Sequence, residues 1–193
     1  MALGMESNEV NVDLSAYDNS WFKPGRTVFV RSLWYLTNVL FFINPLNPSS
    51  GLKVFFLRLF GARVGSGVVV KPGVNIKYPW NLAINDYSWI GENVWIDSLG
   101  QVTIGKNCCI SQGALILNGN HDFTKAHFDL IVKPIIIEDG VWIGARAIVA
   151  PGVVCHSHAV LSALSLASSD LDANSVYRGN PAIKLRNRGL TNS

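Results

Sequence analysis

"IEDGVW IGARAI VAPGVV CHSHAV LSALSL", Ile137–Leu166, is five consecutive hexads. Each opens on Ile, Val, Cys or Leu, and each places Val, Ala or Ser at its fifth position. The same count extends toward the N-terminus. "VGSGVV", "VKPGVN" and "IKYPWN" start at Val64, Val70 and Ile76. After a slip of two residues come "INDYSW", "IGENVW" and "IDSLGQ", starting at Ile84, Ile90 and Ile96. A second slip of two precedes "IGKNCC", "ISQGAL" and "ILNGNH", starting at Ile104, Ile110 and Ile116.

Fourteen rows in register exceed what chance supplies. A period of six marks a β-helix of stacked repeats, each row one short strand and one turn. Three rows make a triangular coil. The opening aliphatic residue then points inward, onto its equivalent 18 residues later. The fifth residue also faces the crowded interior and must be small or slim. Gly and Asn in the turns tolerate left-handed backbone.

The 193 residues suffice for one domain with a sizeable core. Only 15% of them are charged, against 49% apolar, which suits a sheet-rich or self-associating protein. The net charge of +3, without a Lys/Arg block or reading motif, gives no support for nucleic-acid binding. Cys108, Cys109 and Cys155 form no CxxC and read as reduced thiols of a cytoplasmic protein.

Residues 1–20 are polar and read as a flexible N-terminus, and residues 21–62 read as a helical cap. Within the cap, Thr27–Ile43 is apolar but short for a membrane span, carries Arg31, and has no small-residue cleavage site after it. Pro45, Pro48 and Gly51 break it from the apolar, basic Leu52–Phe60. Packing against the domain is the principal reading of these segments, and weak, shallow membrane association the lesser one. The β-helix spans 63–179, with a loop excursion at 121–136, and residues 180–193 are expected to end the chain in a short helix and a tail.

The excursion, within "NGNHDFTKAHFDLIVKP" (Asn118–Pro134), is where the count fails. Ile137 follows Ile116 by 21 positions where one row needs six, leaving an excess of roughly 15. Long loops in compact domains are usually functional. His121 ends the row before it, placed to take a proton from a substrate at neutral pH.

"GNH" at the loop entrance, "IEDGVWIG" after the loop and "YRGNPAIKLR" near the end together resemble the hexapeptide-repeat O-acetyltransferases. "YPWNL", "IGENVWI" and "GNHDF" resemble the exopolysaccharide (colanic-acid-type) sugar acetyltransferases in particular, and the maltose and galactoside acetyltransferases share the layout. The resemblance covers roughly residues 20–188. It implies a mainly β, left-handed parallel β-helix and a homotrimer. It also implies acetyl-CoA as co-substrate in a groove between neighbouring prisms, a sugar-type acceptor, and no metal. His121 is then the general base for direct transfer to a hydroxyl.

For the cofactor, the resemblance points to Trp142, Gly144, Ala145, Ala163, Ser168, Ser169, Lys184 and Arg186. Ser169 and Ile183 stand where the maltose enzymes carry cations. Asp122, Asp97 and Asp129 are the candidates to orient His121, and the sequence does not choose among them. His156 and His158 form an H-x-H pair, which keeps a γ-carbonic-anhydrase-like zinc enzyme as one alternative. A non-catalytic scaffold on the same prism is the other.

Overall fold

The computed structural model describes residues 10–191. Strands of two or three residues stack into a parallel β-solenoid of about six turns with three faces. The first face holds Arg63–Val64, Leu82–Ile84, Val102–Ile104, Ile135–Ile137 and Val154–Cys155. The second holds Val69–Val70, Trp89–Ile90, Cys109–Ile110, Trp142–Ile143, Val160–Leu161 and Ser175–Gly179. The third holds Asn75–Ile76, Trp95–Asp97, Leu115–Leu117, Ile148–Val149 and Leu166–Ala167.

The hexad explains the core. Row-opening residues line up from coil to coil, Ile84 beside Ile104, Ile104 beside Ile137, Ile137 beside Cys155. They are fully buried, as are fifth-position Val74, Val94, Ala114, Val141, Ala147 and Ala159. Burying an aliphatic side chain of this size contributes about 1.5–3 kcal/mol, and the column repeats that gain at every row. The Gly that follows many row openers is a stacking requirement. A Cβ on Gly144 would overlap the Ala163 nitrogen, and one on Gly91 would lie 2.8 Å from the Ile110 oxygen.

Two helices close the N-terminal end: α1 (Val28–Thr37), continued by a π-helical segment Asn38–Ile43, and α2 (Ser50–Leu59). Thr27 and Ser49 cap their first turns through Val30 N and Leu52 N. An uncovered first coil would leave a row of unpaired backbone groups. Side chains from the helical region satisfy groups on all three faces. Arg58 donates to the Val64 and Gly65 carbonyls, Ser50 Oγ accepts from Val70 N, and Trp34 Nε1 donates to the Ile76 carbonyl at 2.8 Å.

The other end corrects the expectation of a C-terminal helix. Ala182–Asn187 is a strand, antiparallel to Ser175–Gly179, and the hairpin they form completes the second face. The last coil offers an open strand edge at Val160–Leu161, and a hairpin supplies backbone partners to it where a helix could not. Arg188 pins the end by donating to the Gly140 and His158 carbonyls. Of the N-terminal segment expected to be flexible, residues 10–20 are described, while 1–9 and the tail residues 192–193 lie outside the described residues. Asp13 N donates to the Ala126 carbonyl, and Leu14–Ala16 forms a 3-10 turn, so this segment rests on the excursion.

Candidate active site

Three successive coils depart from the count of six at one corner, where the third face hands over to the first. The departures are residues 77–81, with a 3-10 turn at Pro79–Asn81, residues 98–101, and residues 118–134. The widened turns are laced together. Ser98 Oγ bridges Tyr78 N and O, and Asn81 Nδ2 donates to the Ser98 and Leu99 carbonyls. Asn118 closes the base of the longest departure, donating from Nδ2 to the Lys133 carbonyl at 2.7 Å and accepting from Lys133 N.

The excursion is a β-hairpin, Gly119–His121 against Leu130–Val132, with His121 opposite Leu130. This corrects both its start and the place of His121. The chain leaves the coil at Asn118, so the final three residues of the "ILNGNH" row are hairpin rather than coil. The row count missed this because Asn118, buried at the third position, resembles a turn residue.

His121 Nδ1 lies 2.9 Å from the Phe128 carbonyl oxygen. A carbonyl only accepts, so Nδ1 carries the proton and Nε2 keeps the basic lone pair. The Phe128 ring stacks on the imidazole with centroids 4.6 Å apart and planes 13° from parallel. Phe128 holds φ +55°, a costly conformation for a bulky residue, and it aims this carbonyl. Tyr17 packs on the imidazole from the N-terminal segment, ring centroids 5.7 Å apart.

None of the three candidate aspartates hydrogen-bonds His121. Asp122 accepts from Thr124 Oγ1 and N, and these bonds hold its carboxyl below the usual carboxylate range. Asp129 pairs with Lys125 at 2.8 Å. Asp97 is buried and pairs with Lys77 at 3.3 Å. It does share with His121 a cavity of about 730 Å³, whose walls include Tyr17, Arg31, Lys77, Trp95 and Leu117. Phe128, Tyr17 and Arg31 were missed by sequence reasoning. The slips before Ile84 and Ile104 were the available signal for the Lys77 and Asp97 turns.

The cofactor candidates fall into separate places. Gly144, Ala145 and Ala163 meet at the corner between the second and third faces, where Leu164 N donates to the Ala145 carbonyl. Trp142 precedes them, half exposed, its Nε1 donating to Ser111 Oγ at 2.9 Å. Ser168 and Ser169 are exposed one corner further, after Leu166–Ala167. Lys184 and Arg186 lie on the terminal strand, Lys184 paired with Asp172 at 3.0 Å. Within one chain, His121 and the Gly144–Ala163 corner belong to different corners of the prism.

The remaining histidines are dispersed. His156 Nδ1 lies 3.1 Å from Glu138 Oε1, and the Glu138 carboxylate also accepts from Ser157. His158 packs over Gly140, and His127 is in the hairpin. Among the described residues no three His, Cys, Asp or Glu side chains gather as a metal site.

A parallel β-solenoid of this kind is the fold of hexapeptide-repeat acetyltransferases of known structure, and the comparison with known proteins gives the class. The chain is 38% identical over 177 residues to WcaF of Escherichia coli strain K12, covering 91% of this chain and 97% of that protein, whose own assignment as a colanic acid biosynthesis acetyltransferase is provisional. It is 32% identical to nodulation protein L of Rhizobium meliloti, covering 72% and 78% of the two chains. Among solved structures, the hexapeptide-repeat acetyltransferase VCA0836 of Vibrio cholerae superposes with a TM-score of 0.76 at 24% identity, over 82% of this chain and 90% of that one. That protein is also known in complex with acetyl coenzyme A. No family model matches the chain. The chain belongs to the hexapeptide-repeat acetyltransferase family and is similar to a colanic-acid-type member over nearly its whole length. It is an acetyltransferase, which sets aside the scaffold and zinc-enzyme alternatives.

Proposed function

We propose that the chain transfers acetyl from acetyl-CoA directly to a hydroxyl of a sugar or glycan precursor, with His121 as general base. The single observation that carries this reading is the bond between His121 Nδ1 and the Phe128 carbonyl, which leaves Nε2 as the basic atom of a side chain lining the cavity. Nε2 takes the proton of the acceptor hydroxyl as its oxygen attacks the thioester carbonyl. The tetrahedral intermediate collapses, the C–S bond breaks, and the imidazolium returns the proton to the departing CoA thiolate. Holding both reactants in one groove supplies proximity, and backbone N–H groups stabilise the oxyanion.

A homotrimer follows from the same reading. One chain keeps His121 apart from the Gly144–Ala163 corner, so a groove between prisms would complete the site. The acetyl-CoA assignment draws support from the VCA0836 complex, and the sugar acceptor from WcaF. A cytoplasmic location suits three free cysteines.

The test is an acceptor screen with acetyl-CoA over free sugars, nucleotide sugars and lipid-linked glycans, reading thiol release together with the mass gain of one acetyl group. Acetyl-ester formation on a sugar hydroxyl is the expected result. Transfer to amines alone, or no acetyl-CoA consumption with any acceptor, would contradict the reading.

A further inference from the structure

We propose that the outward face of the N-terminal helices docks on an anionic phospholipid surface. The first observation is a stripe. Phe29, Leu33, Leu36 and Leu40 recur at helical spacing along α1 and its π-helical continuation, 76%, 46%, 54% and 49% exposed. The opposite side of the same helix is already buried through Trp34 and Phe42, so the stripe is surplus to the core. A second stripe, Leu52, Phe55 and Leu59, lies exposed on α2. The two helical segments are joined by Phe41 packing on Phe56, which in turn meets Phe55.

The second observation is charge. Between Trp21 and Asn85 there are eight Lys and Arg and no Asp or Glu; Lys53 is buried and Lys77 pairs with Asp97, which leaves six. The chain as a whole carries 16 against 13, so every acidic residue lies outside this region. The cations include exposed Arg26 and Arg58 where α1 begins and α2 ends. Arg26 reaches Gly61, just past α2, and Arg58 is tied to the backbone of the first coil.

Apolar stripes on a segment that carries cations and no carboxylate match the composition of helices that lie in a bilayer interface. Crossing is excluded by length. Val28–Ile43 extends about 24 Å at 1.5 Å per residue, short of a hydrocarbon core of ~30 Å, and among the described residues no helix is long and apolar enough to cross. A second copy of the chain fits the face less well, because a two-fold contact would set the same cations against each other. An apolar groove beside α1 shares Arg31, Lys77, Tyr78 and Trp95 with the His121 cavity, so a docked chain holds its catalytic cavity near the lipid. Docking does not depend on the transfer chemistry and is read without acetyl-CoA.

The test is flotation of the full chain with vesicles of phosphatidylethanolamine and phosphatidylglycerol, and with vesicles of phosphatidylcholine alone. Binding is expected on the first and at least about tenfold less on the second. The F29Q/L33Q/L36Q variant should lose binding by about tenfold or more with its circular dichroism unchanged, since these side chains are exposed. Lys23→Gln with Arg26→Gln should weaken binding and flatten its salt dependence without touching the stripe. The proposal is overturned if the native chain ignores anionic vesicles, or if both variants bind as the native chain does. It is equally overturned if the stripe variant splits a native oligomer into smaller species, which would assign the face to a second copy.

Discussion

The Phe128 carbonyl lies 2.9 Å from His121 Nδ1, and Phe128 holds φ +55° there. One residue therefore fixes the tautomer with its backbone and the ring plane with its side chain. Phe128→Ala keeps the carbonyl and removes the stacked ring. The expected outcome is a kcat lowered by about 10- to 100-fold through a loosened base, with the melting temperature little changed. An unchanged kcat would show that the stacking does not position the imidazole.

The aspartates near the hairpin should not behave alike. Asp122 and Asp129 are engaged by Thr124 and Lys125 on the hairpin itself. Asp122→Asn and Asp129→Asn are expected to keep turnover within about threefold. Asp97 is buried beside the cavity and holds Lys77, so Asp97→Asn leaves a cation of the cavity wall unpaired. A larger rise in acceptor KM than fall in kcat is expected for that variant. Steady-state kinetics on all three distinguishes them.

Gly144 tests stacking against cofactor contact. A Cβ there would overlap the backbone of Ala163 in the next coil. Gly144→Ala should destabilise the fold by about 1–3 kcal/mol as overpacking, read as a lower melting temperature whether or not acetyl-CoA is present. A variant of native stability with weakened CoA binding would restore the cofactor role as the reason for glycine.

Burial pushes the Cys155 thiol up to about 12 from an ordinary value of 9.0. The sign follows from proton binding. Above pH 9 the unfolded chain releases this proton and the folded chain keeps it, so Cys155 stabilises the fold below that pH and ceases to as pH rises toward about 12. Urea midpoints should therefore fall from pH 9 upward, less so in Cys155→Ala. In the native state Cys155 should also resist alkylation at pH 8.

The prism was legible because its constraint is local and repeated. Each opening Ile or Val and each slim fifth residue answers to the same interior, so rows such as Ile137–Leu166 declare themselves. The hairpin was legible only as a failure of that count. Its true start at Asn118 depends on bonds from the Asn118 side chain and carbonyl to the backbone of Lys133, a long-range pairing that the count of six does not encode. The partner of His121 was illegible for a related reason, since a carbonyl is common to every residue and only the fold of the hairpin brings that of Phe128 to the imidazole. Aspartates drew attention because their side chains can orient an imidazole. The C-terminal strand was mistaken for a helix because "NPAIKLRNR" shows no period that separates the two, and the open edge of the last coil decided it.

The central claim is that His121 Nε2 is the base. Its direct test is His121→Ala, assayed for acetyl transfer to the best acceptor and, by calorimetry, for CoA affinity. The predicted result is a kcat reduced by about 10²- to 10⁴-fold with CoA affinity retained. Near-native turnover in that variant would contradict it.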